Sequence, residues 1–180
     1  MKLTAEELRR ALRIYGYVVP EVMEKFEKEL AATLQTERDK KPPTVFVTNL
    51  NAGNDSLAIA FFDVATCMQA NTTTVASGNL DLAGITVWLT GTTRIATPNV
   101  SFNFDELGRS ITGTVYFSYS DLVREIQHMD STMQRNAKII EARTGGTLCQ
   151  TKALEMMRSR TRLNAKDAKT VGLATDIDEN

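Results

Sequence analysis

Histidine and cysteine are almost missing from this chain: His128 stands alone, and the cysteines are Cys67 and Cys149, in different segments. Without a C-x-x-C spacing or a histidine cluster there is no ligand set for zinc or haem, and two distant cysteines form no disulfide framework. A reducing cytoplasm is the expected compartment. No apolar run approaches the ~18 residues of a membrane span, and Met1 to Arg13 carries charge where a secretory leader would be apolar. Charge of one sign is also lacking: 21 Lys and Arg against 22 Asp and Glu leave a net charge of -1. A nucleic-acid binder needs a basic footprint, and the densest basic run, Arg158 to Arg162, is one short patch that reads as a solvated face. Phosphate-loop chemistry is excluded as well, because Asn51-Ala52-Gly53-Asn54 is too short and has no lysine. Neither membrane, nucleic acid nor cofactor is expected.

What is present is a core. Across 180 residues, 42% are hydrophobic, enough for one domain without staples. Thr4-Ala5-Glu6-Glu7 reads as an N-cap opening a short helix to Arg13, and Arg13 to Val19 as a strand. Pro20 then starts a helix whose Val22, Met23, Phe26, Leu30 and Leu34 recur every three to four residues. Lys40-Lys41-Pro42-Pro43 ends it, and Thr44 to Leu50 is β-branched and aromatic, as a buried strand is. The unit repeats: a turn at Asn51 to Asn54, a helix from Ser56 to about Gln69, a strand at Thr72 to Ser77 and a turn at Gly78-Asn79. A helix from about Leu80 to Thr90 and strands at Arg94 to Thr97 and Val100 to Phe104 follow. This alternation predicts a mainly parallel sheet in an α/β fold. Ser110 to Tyr119 alternates like an exposed strand, and Ser120 is expected to cap a helix from Asp121 to Arg143, too long to be covered by its own domain. Thr144-Gly145-Gly146 stops it; Thr147 to Ser159 forms a last helix, and Asn164 to Ile177 a helical turn and a short strand.

Several segments carry a family likeness. Leu163 to Ile177, with Ala165, Ala168, Gly172 and Leu173 at matching spacing, resembles the ending of the Clp protease proteolytic subunit (ClpP) family. Arg143-Thr144-Gly145 resembles its His-Thr-Gly, Arg94 to Asn99 its Arg-Tyr-Ala-Leu-Pro-Asn, Met68-Gln69 its Thr-Met-Gln, and Asn49 to Gly53 its Asn-Ser-Pro-Gly-Gly. Gly78, Ala83 and Gly84 hold the frame of its Gly-Gln-Ala-Ala-Ser-Met-Gly. The resemblance spans Leu3 to Ile177. It implies a ClpP/crotonase-like ββα spiral head, about 1–109 and 144–180, with a strand and long-helix handle, about 110–143, by which heptameric rings stack.

The same resemblance implies a serine, a histidine and an aspartate for peptide hydrolysis. In this chain those positions hold Leu82, Asp105 and Met156. Losing such a nucleophile costs about 10⁶ in turnover, so activity of the family type is expected to be negligible. The implied oxyanion donors are backbone groups, those of Ala52 and Ala83, although Ala52 stands where the family has glycine and would resist a positive φ. Asp81 and Asp105 are a candidate carboxylate pair, since neighbouring carboxylates share a proton. His128 reads as a handle residue, and Trp88, Met156 and Met157 as core.

The expected role is therefore a ring-forming ClpP-like subunit with a structural or assembly function, partnered by itself as a heptamer or stacked double ring and by active ClpP-type subunits. The chain begins almost at its first helix, which argues against coupling to an unfoldase ATPase. Two alternatives carry different chemistry: a crotonase-like acyl-coenzyme A binder or enzyme using Asp81 or Asp105, for which the chain is short, and a peptidase using non-standard residues.

Overall fold

The computed structural model describes residues 11–36, 42–68, 71–108 and 116–178. A five-stranded parallel sheet runs in the order β1 (Leu12–Val18), β2 (Thr44–Gly53), β3 (Thr73–Ser77), β5 (Thr93–Ala96), β8 (Asp176–Ile177). A smaller sheet joins β4 (Asn79–Leu80), β6 (Ser101–Asn103) and β7 (Arg162–Asn164), parallel between β4 and β6 and antiparallel between β6 and β7. The connecting helices are α1 (Pro20–Thr36), α2 (Asp55–Cys67), α3 (Leu82–Trp88), α4 (Tyr119–Arg143), α5 (Gln150–Arg158) and α6 (Ala165–Thr170).

The α1 stripe does what its spacing predicts: Met23, Phe26 and Leu30 are buried, and Phe26 meets Phe61 of α2 with ring centroids 5.3 Å apart. Each such side chain contributes about 1.5–3 kcal/mol of burial. The first expected helix lies outside the described residues up to 10, but Leu12 and Arg13 are strand, because they pair with Val45 and Phe46.

Three boundaries differ from expectation for local reasons. Leu80 is not helical: it pairs with Phe102, and Asp81 caps α3, whose Gly84 amide donates to Asp81 Oδ1 at 3.0 Å. Ser118, not Ser120, caps α4, since only Ser118 has an acid three residues on; Asp121 Oδ2 accepts from the Ser118 amide at 3.1 Å and the Asp121 amide donates to Ser118 Oγ at 3.2 Å. Of the expected strand from Ser110 to Tyr119, residues 110–115 lie outside the described ones; 116–118 are not strand, and Tyr119 begins the helix. The expected helix at Thr147 starts only at Gln150, because Thr147 and Leu148 are held in the turn after α4, where Leu148 donates its amide to Thr144 Oγ1 at 3.2 Å.

The core lies between the sheets and the helices. Trp88, fully buried, stacks obliquely on Phe102 at 4.8 Å. Met157 is fully buried and Met156 nearly so. Gly84 is required by close approach rather than by conformation: a Cβ there would stand 2.3 Å from the Leu50 carbonyl oxygen. That contact presses α3 onto β2, and the Asp81 amide donates to the same carbonyl at 3.3 Å.

Candidate functional site

The region opened by α3 gathers residues from distant segments. Pairing of Leu80 with Phe102 sets Asp81 and Leu82 beside the chain leaving β6 toward Asp105. Asn103 pairs with Arg162, and the Phe104 amide donates to the Thr161 carbonyl at 2.9 Å. The Thr161 amide in turn donates to the Met156 carbonyl at 2.9 Å. The segments carrying Leu82, Asp105 and Met156 thus converge by backbone pairing. Their side chains differ in exposure: Leu82 is 2% and Met156 8% exposed, whereas Asp105 faces solvent.

Asp81 lies at the helix start, where backbone amides favour a negative charge. Burial raises its carboxyl above the ordinary value; the Gly84 amide opposes this, the charge of Asp105 adds to it, and the Ala83 amide opposes it. The Gly84 amide is thus turned toward a carboxylate of the chain itself. Asp81 serves as the cap of α3. Next to Ala52, the other candidate donor, Gly53 ends β2 with a positive φ of 135.

The nearby hydroxyls have neutral partners. Ser77 shares a hydrogen bond with Thr48 at 2.8 Å, and Ser101 donates to Asn103 Oδ1 at 3.0 Å. Thr86 is fully buried and lies within donor reach of the Leu82 carbonyl (3.0 Å) and Asn136 Oδ1 (2.7 Å). His128 is exposed on α4. Among the described residues no group of three or more His, Cys, Asp or Glu is placed to hold a metal ion, and no helix is long and apolar enough to cross a membrane.

Patterning did not single out Asp55 or Asn136. Asp55 opens α2, and its carboxyl is pushed up to about 6 by burial and then by the charge of Asp81, against its own amide and the Asn136 side chain. Asn136, from α4, is fully buried. Their spacing in sequence carries no signal; only the meeting of α2, α3 and α4 joins them.

A second polar hub ties the far end of α4. Arg94, 6% exposed, donates to the carbonyls of Leu173 (2.8 Å), Arg143 (2.9 Å), Gly91 (3.2 Å) and Gly172 (3.3 Å). Burial, and then the charge of Arg143, lowers its guanidinium to about 10, which leaves it charged at neutral pH. Arg143 itself donates to the Thr90 and Gly91 carbonyls.

No curated protein matches the chain. Among solved structures it is similar to an asparagine-to-aspartate mutant of ClpP1 from Listeria monocytogenes, with a TM-score of 0.80, 21% identity, and 97% of this chain and 94% of that one covered. At that identity the likeness bears on the fold, which is the α/β ClpP fold. The Clp protease family profile matches residues 5–180, nearly the whole length, and by that match this chain belongs to the Clp protease family.

Proposed function

We propose that this chain is a ring-forming ClpP-type subunit without serine peptidase chemistry, acting in the cytoplasm as a structural or assembly member of a Clp-type complex. The observation that carries this reading is the start of α3. Where the resemblance puts the nucleophile, Leu82 presents a buried hydrocarbon, which cannot form an acyl bond. At this helix start the Gly84 amide already donates to Asp81, and the Ala83 amide acts on the same carboxylate. An oxyanion would meet negative charge there rather than free donors.

The handle helix supports assembly. Tyr119, Leu122 and Ile126 are 84%, 47% and 56% exposed, spaced along one side of α4. An unpartnered stripe of this kind on a helix suits a second copy of the chain.

Light scattering at micromolar concentration tests the assembly, with a mass several times the 19.9 kDa of the chain expected. A strict monomer would sink the ring reading. Labelling of any serine by a fluorophosphonate probe would sink the non-catalytic one.

A further inference from the structure

The junction where the handle helix meets the head holds polar groups that the assembly reading does not use. Asp55 Oδ1 and Asn136 Nδ2 are buried, and neither closes a hydrogen bond of normal geometry, although the Asn136 side chain is near enough to act on the Asp55 carboxyl. On its other side the Asn136 amide meets Thr86, whose hydroxyl also reaches the Leu82 carbonyl. Polar side chains of three helices, Asp55 from α2, Asn136 from α4 and Thr86 from α3, therefore gather at this junction, with a hydrogen bond of normal length between Thr86 and Asn136. Buried polar groups left unpaired are costly, and an asparagine amide can present either its donor or its acceptor by a half turn.

We propose that Asp55, Asn136 and Thr86 form a proton-responsive relay that couples ionisation in the head to the seating of the handle helix. With Asp55 protonated, its hydroxyl donates to Asn136 Oδ1, the Asn136 amide N–H donates to Thr86 Oγ1, and the Thr86 hydroxyl donates to the Leu82 carbonyl. Every group in the chain is then satisfied. With Asp55 ionised, the amide turns so that Nδ2 faces the carboxylate and Oδ1 accepts from Thr86. The carboxylate then sits buried with the like charge of Asp81 close by.

The charged surroundings of Asp55 do not offset this. From the turn before α3 the group acting on it is Asp81, which is itself acted on by Asp105 from the end of β6. From α4 the group is the neutral Asn136, and no cation from α1 or β1 contributes among the described residues. Asp63, further along α2, is exposed.

The sign follows from linkage. The folded carboxyl lies above its ordinary value, so its stabilisation is full below pH 4 and is lost as pH rises through about 6. The test compares wild type with Asp55→Asn, which mimics the protonated form. The ratio of their unfolding constants should change by about 100-fold between pH 4 and pH 8, the size of the raised carboxyl, with Asp63→Asn as a control that follows wild type. In wild type, the Asn136 side-chain amide resonances should shift with a midpoint near 6. Asp81→Asn should lower that midpoint.

Parallel pH curves for wild type and Asp55→Asn would overturn the proposal. So would Asn136 resonances that stay unchanged from pH 5 to 8. If Asp55→Asn does not fold, the carboxyl carbon of Asp55 titrated in wild type decides: a midpoint near 6 supports the relay, and one in the ordinary carboxylate range overturns it.

Discussion

Replacing Leu82 by serine supplies a hydroxyl where the resemblance puts the family nucleophile, and it should make the protein worse without making it a peptidase. Leu82 is 2% exposed, and all seven residues of α3 are buried. Losing its isobutyl group costs about 2–5 kcal/mol, as buried leucine truncations do. A hydroxyl left unpaired there adds about 1–3 kcal/mol. At roughly 2–4 °C per kcal/mol for a domain of this size, the melting temperature should fall by about 10 °C or more. Catalysis should gain nothing, because the resemblance puts Asp105 where an imidazole would take the proton, and Asp81 accepts from the Gly84 amide. Thermal melting, hydrolysis of fluorogenic peptides and fluorophosphonate labelling read the three consequences. Peptide hydrolysis by Leu82→Ser alone, or labelling of the wild-type chain, would refute the reasoning. Adding Asp105→His and Met156→Asp should still leave turnover low until Asp81→Ala also frees the helix-terminal amides.

Arg94→Met removes a buried guanidinium bonded to five carbonyls and should destabilise by about 3–5 kcal/mol; limited proteolysis should then cut first near Gly172 to Ile177, the segment it clamps. Gly84→Ala places a methyl 2.3 Å from the Leu50 carbonyl oxygen, so α3 must lift from β2 and denaturation should begin at lower urea than in wild type. Ile126→Glu, on the exposed side of α4, should leave the melting curve of the head unchanged while lowering the assembled mass seen by light scattering. Coenzyme A at millimolar concentration should produce no binding heat in calorimetry, whereas saturable binding would revive the crotonase-like alternative.

Where a segment's partners are its own near neighbours, local pattern was enough to place it. The α1 stripe of Met23, Phe26 and Leu30 folds as its spacing dictates, because an amphipathic period works on any apolar surface. Pro20 opens that helix, and the β-branched run from Thr44 is a strand. Boundaries failed where a distant strand or a second local cap competed. Leu80 looked helical until Phe102 took it into β4, and Ser120 resembled a cap until Asp121 favoured Ser118.

The residues themselves determined that Leu82 and Met156 could supply neither nucleophile nor acid, since side-chain chemistry does not depend on where the chain goes. Segments resembling one family also pointed to the fold. Tertiary structure alone decided that Asp81 turns its carboxylate to the α3 amides and that Asp55 and Asn136 meet in the interior. Those outcomes depend on how α2, α3 and α4 converge, and burial and like charge act through space, which linear spacing does not encode.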